Sequence, residues 1–160
     1  MKVGEPLGLH PGHTSSIRRI EAAMLSYHAD MTLENNPFEL GMDRLVDLEM
    51  EADFVSKSAL KRIRDEGVSQ VFVGLEFDGP PLIGSNDEHW DIMKDNEKIG
   101  RVTSAVYSPR LEKNLALAMI AREHATIGAQ GMIAMNGEER NCQVVPKPFF
   151  DPNKSIAVKG

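Results

Sequence analysis

At Gly67 the sequence changes its hydrophobic period, and that change constrains the fold more than any other feature. In "VSQVFVGLEF", Val71, Val73, Leu75 and Phe77 fall on alternate positions, the spacing of a half-buried strand. "KDNEK" reads as a hairpin turn between "HWDIM" and "IGRVTSAVY". "MIAMNGEERNCQVV" sets Asn136 and Gly137 between two strand-like runs, a strong short hairpin signal. "NLALAMIA" is a further strand candidate, although its alanines and leucines leave a helix open. Five or six short strands separated by turn residues predict a small antiparallel barrel or sandwich across 68–150.

Before Gly67 the spacing is helical. The Thr14, Ser15 and Ser16 hydroxyls offer an N-cap, and a helix is predicted from there to about His28. Ile17, Ile20, Met24 and Tyr27 form its apolar stripe. "ENNPFEL" predicts a second helix, with Asn36 as N-cap, Pro37 at the first position and Glu39 closing a capping box. "SKSALKRIRDEG" predicts a third, capped by Ser56, with Ala59, Leu60 and Ile63 facing inward and Gly67 ending it. The expected class is α+β: a mostly helical segment over 1–67, a β-barrel domain over 68–150 and a tail over 151–160. With few strands to lie on, the helical segment reads as a cap on the barrel or as the end of a larger domain.

Composition limits the setting. With 18 Lys and Arg against 24 Asp and Glu, the net charge of -6 argues against a nucleic-acid or acidic-lipid footprint. Cys142 is the single cysteine, so no internal disulfide forms and a reducing, cytoplasmic setting is expected. The opening residues lack the apolar core of a signal peptide, and no apolar run reaches the ~20 residues of a membrane helix.

The chemistry-bearing residues are few. His10 and His13 lack a third ligand at useful spacing, so no metal is expected. Cys142 falls in a predicted strand without a nearby histidine and reads as a packing residue. No Gly-rich phosphate loop, Walker motif or nucleophile elbow is present. Arg18 and Arg19 are unusual, because cations in a first helical turn oppose the helix dipole. They fit either an anion at the helix start or local pairing, Arg18 with Glu21 at i,i+3. Glu21 and His28 lie near the apolar stripe, where a carboxylate needs a partner. Tyr27 reads as a core residue with a satisfied hydroxyl.

Taken in order, "RIEAAMLSYHADM", "NPFELG", "DFVSKSAL", "VGLEF", "IGRVTSAVYSPRLEKNLALAMI" and "VVPKPFF" resemble the C-terminal half of the glycine-cleavage T-protein family. The resemblance runs from about Gly8 to Asp151. "HADMTLENNPFE" and "SAVYSPRLEK" are similar to the dimethylsulfoniopropionate demethylase branch. The resemblance implies an aminomethyltransferase or demethylase that moves a one-carbon group from an amine or sulfonium donor to tetrahydrofolate. It implies that Arg19 lines the folate site, joined by Tyr27 and with Glu21 as a further cofactor-binding residue. It assigns no catalytic acid or base, because the family's carboxylates for amine and pterin lie in an N-terminal half not seen in this sequence.

Three departures bear on the donor. Ala23 replaces a glycine and is expected to close a tight approach; His28 replaces the glycine after the tyrosine; Arg44 stands where aminomethyltransferases carry a tryptophan. With the family's N-terminal half not seen, the 160 residues are expected to be a fragment whose exposed face favours self-association. Two alternatives stay open: a non-catalytic folate-binding relative, and a structural or interaction barrel without a small ligand.

Overall fold

The computed structural model describes residues 3–8, 15–135 and 137–156. Six antiparallel strands form the body: β1 (Gln70–Phe77), β2 (Trp90–Lys94), β3 (Glu97–Ser108), β4 (Lys113–Ala121), β5 (Gln130–Met135) and β6 (Glu138–Val145). They close into a barrel in the order β1-β4-β3-β2-β5-β6, so no strand edge is left open. The expectation of five or six strands resolves to a closed six-stranded barrel rather than a sandwich.

The predicted turns supply the connections. Asp95 and Asn96 take φ of 51° and 65° between β2 and β3, the left-handed pair that a two-residue hairpin requires. Gly137 has φ of 81° at the β5–β6 turn, while Asn136 lies outside the described residues.

Alternation sorts β4 onto two cores. Ala116, Ala118 and Ile120 point into the barrel with Val73, Leu75, Phe77, Ile92, Val102, Ala105, Ile133 and Val144. Leu115, Leu117 and Met119 point outward under the helical segment, where Ile20, Leu40, Phe72 and Val106 join them. A strand buried on both faces reads as a continuous apolar run, which is why its sequence left a helix open. Phe72, on the outer face of β1, anchors the same second core.

The helical segment is less helical than its spacing predicts. Helix α1 covers only Ser16–Glu21, capped by Ser15, whose Oγ accepts from Arg18 N–H at 3.4 Å. It stops there because the chain turns into the left-handed region at Ala23, φ 51°, and again at His28, φ 72°. Met24 and Tyr27 consequently leave the stripe and are exposed.

The second predicted helix is a set of turns, although its capping chemistry is present. Asn36 Oδ1 accepts from Phe38 and Glu39 N–H at 3.0 and 3.1 Å, and Glu39 Oε2 accepts from Asn36 N–H at 3.3 Å. Helix propagation fails after one turn, where Gly41 takes φ of 69°.

Helix α2 (Lys57–Glu66) forms as expected and ends at Gly67, φ 81°, whose N–H donates to Ile63 C=O. Two details differ. Ser56 has φ of 73° and makes no side-chain cap, and Ala59 is exposed while Leu60 and Ile63 are only half-buried. Among the described residues no helix is long and apolar enough to cross a membrane.

Candidate functional site

The site candidates converge where α1 crosses β3 and β4, and a defect in β3 shapes the meeting point. Val102 pairs with Ala118 and Ser104 with Leu117, so Thr103 is an inserted residue, a β-bulge. The bulge lets two consecutive hydroxyls serve one carboxylate. Thr103 Oγ1 and Ser104 Oγ both donate to Asp30 Oδ1 at 2.6 Å. Asp30 Oδ2 accepts from Ser26 N–H at 2.9 Å and from Arg19 Nη1 at 2.5 Å.

Arg19 is therefore held on several sides. Its Nη1 also donates to Met24 C=O at 3.1 Å, and its Nη2 to Ser104 Oγ at 2.8 Å. The Asp30 side chain is fully buried while that of Arg19 remains 26% exposed. A guanidinium has five N–H donors, and three of them find partners among the described residues.

The anion that Arg19's position called for is thus Asp30, a residue of the chain itself. With six residues, α1 has its basic residues in the last turn as well as the first, so the dipole argument against cations is weak here.

Glu21 is buried, and it does not pair with Arg18. Ser108 Oγ donates to its Oε1 at 2.6 Å, and Arg110 Nη1 stands 4.0 Å from Oε2. The reason is the short helix: Glu21 is the last helical residue and faces β3, while Arg18 faces solvent. The Glu21 carbonyl accepts from Phe149 and Phe150 N–H at 2.9 and 3.1 Å. Glu21 thus fastens the "KPFF" stretch across the second core. There Phe149 lies against Gly74, and the Arg110 guanidinium stacks 4.0 Å from the Phe150 ring. Lys147 sits 4.9 Å above the Phe72 ring, and burial holds its ammonium pKa below the ordinary lysine range.

Tyr27 is 48% exposed rather than in the core, and its ring meets that of His28 edge-on at 4.3 Å. It lies within the same excursion, between Glu21 and Asp30, as the Met24 carbonyl bound by Arg19. Arg44 is exposed on a short turn, Asp43–Leu45. Glu39 caps its own turn and accepts from Gln70 Nε2 at 3.4 Å, a structural use.

Cys142 is buried in the barrel wall, and burial pushes its thiol up to about 11. Among the described residues no group of His, Cys, Asp and Glu could hold a metal ion; His10 and His13 lie outside them.

Sequence reasoning missed Asp30, Thr103 and Ser104. Asp30 carried a signal, a carboxylate following the apolar stripe, but the hydroxyls that bury it depend on a bulge without a glycine to mark it.

A closed six-stranded barrel with a helical segment clasped to one side by buried carboxylates defines a small barrel domain with an appended cap. The family model that matches it is the glycine cleavage T-protein C-terminal barrel domain, over residues 70–151, and this chain belongs to that family. An aminomethyltransferase of Synechococcus sp. (strain CC9902) is 39% identical over 132 residues, covering 82% of this chain and 35% of that protein. An aminomethyltransferase of Symbiobacterium thermophilum is 31% identical over 155 residues, covering 94% of this chain and 40% of its own length. The crystal structure of glycine cleavage system aminomethyltransferase T from Bartonella henselae shares the fold, with a TM-score of 0.76 at 20% identity, over 85% of this chain and 38% of that one. The chain spans little more than a third of the length of these relatives.

Proposed function

We propose that this chain supplies the C-terminal portion of a tetrahydrofolate-dependent transferase that takes a one-carbon group from an amine or sulfonium donor. The observation that carries this reading is Arg19: fixed by Asp30, Met24 and Ser104, yet partly exposed, with an uncovered Tyr27 ring in the same chain excursion. The donors left on Arg19 fit the acceptors of a folate, and the exposed ring of Tyr27 offers an apolar contact. When bound, tetrahydrofolate supplies the nitrogen that accepts the one-carbon unit. This chain's own residues bind and orient it, which is how proximity contributes to such a reaction. Glu21 acts in this scheme through Ser108 and the 147–150 stretch, holding α1 on the barrel.

The residues at 23, 28 and 44 depart from the aminomethyltransferase pattern, and the donor assignment follows from testing donors in turn. The binding test is calorimetry of tetrahydrofolate with the parent chain and with Arg19→Ala. Loss of more than about 1 kcal/mol is expected from removing charge-assisted hydrogen bonds. Equal affinity for both chains would remove Arg19 from the site. We further propose that the chain self-associates through apolar residues exposed on its helical segment.

A further inference from the structure

We propose that Asp30, served by the bulge at Thr103, is a positioning residue that fixes the Arg19 guanidinium and cancels its charge. Arg19 then presents N–H donors to a neutral acceptor edge, such as a ring nitrogen or amide-type carbonyl, rather than a bare charge to an anion. The inference rests on the reading that Arg19 faces tetrahydrofolate, and it selects which part of that molecule Arg19 takes.

The geometry supplies the argument. Asp30 receives four donors, from Arg19, Ser26, Thr103 and Ser104, none longer than 2.9 Å, and its side chain has no exposure. Arg19 is thus half of a tight ion pair, and a second anion approaching it also approaches Asp30. Coulomb attraction to Arg19 is then partly offset by repulsion from Asp30 directly behind it. A neutral acceptor meets no such repulsion and still gains directed hydrogen bonds from the free guanidinium donors. Three of the five Arg19 N–H groups are committed to Asp30, Met24 and Ser104, so the plane and rotation of the group are set before a ligand arrives.

The test follows Arg19 directly. Side-chain ¹⁵N NMR of the parent is expected to show slowed rotation of the Arg19 guanidinium, with no saturable shift on adding inorganic phosphate. Asp30→Asn is expected to free the rotation and create a saturable phosphate response. Tetrahydrofolate affinity of the parent is expected to change less than about twofold between about 50 and about 300 mM salt, since a neutral contact is little screened. In Asp30→Asn, affinity should fall about tenfold and become salt-dependent.

Unchanged Arg19 rotation and phosphate response in Asp30→Asn would overturn the proposal. So would a parent chain that binds phosphate saturably at Arg19. Should Asp30→Asn fail to fold, the pair Thr103→Val and Ser104→Ala decides: a folded variant with faster Arg19 rotation supports the proposal, and unaltered rotation in both sinks it. If the parent shows the expected NMR behaviour but binds no tetrahydrofolate, the folate reading fails while the positioning role of Asp30 stands.

Discussion

Ala23 and His28, where the resemblance implies glycine, both hold the left-handed backbone that glycine adopts without strain, with φ of 51° and 72°. At Ala23 this backbone gives a conformational reason for a glycine beside the close approach expected from the sequence. An L residue there costs about 1–2 kcal/mol, of which glycine's extra chain entropy gives back about 0.5–1. His28 is exposed, so His28→Gly is expected to raise stability in urea by about 0.5–1 kcal/mol. A loss instead would show that the edge contact with Tyr27 outweighs the strain.

Ala23 packs against the second core, so the gain from glycine is smaller there. Cys142 gives a second residue-level expectation. With its thiol near pKa 11, reaction with a thiol reagent at pH 8 should run about two orders of magnitude below that of an unhindered cysteine. Its raised pKa favours the neutral form in the fold. That contribution is complete below the ordinary thiol range and is lost as pH rises from about 9 towards 11.

At the scale of elements, strands were far more legible than helices. Alternation and turn residues are local and strong, so β1 and the two hairpins follow from Val71 to Phe77, Asp95–Asn96 and Gly137. The helices were overextended because apolar spacing continues through Tyr27 although the backbone reverses at Ala23. The Asn36–Glu39 capping pair was legible as chemistry, yet one turn is all it supports.

The β3 bulge had no sequence mark, and with it went the Asp30 cluster at the heart of the site. Gly100 likewise looks unremarkable in "KIGRV". A Cβ there would meet Met119 O at 2.4 Å and Ile120 Cα at 2.9 Å, both backbone atoms that cannot step aside. Gly100→Ala is therefore expected to cost about 1–3 kcal/mol in thermal or urea unfolding, by prying β3 from β4. A neutral result would mean that the two strands separate locally without cost.

For the whole molecule, barrel closure and the cap make different statements. Closure removes strand edges, so the barrel offers no route to association by strand pairing. The helical segment exposes Leu45, Met50 and Val55, and no residue of α2 is buried. Between α2 and the barrel rim lies a groove of about 720 Å³ lined in part by half-buried Val46, Ile63, Val68 and Val71. Apolar surface of this kind on one side of a chain favours contact with another protein surface.

Light scattering of the parent is expected to give a mass above 17.7 kDa that rises with concentration. Ile63→Glu places a charge at the groove without disturbing a buried side chain, and it should return the mass to the monomer value while circular dichroism stays unchanged. A parent that remains at the monomer mass at high concentration would reject self-association. An oligomer indifferent to Ile63→Glu would move the contact elsewhere, for instance to Met24, Tyr27 and Leu33, which are also exposed.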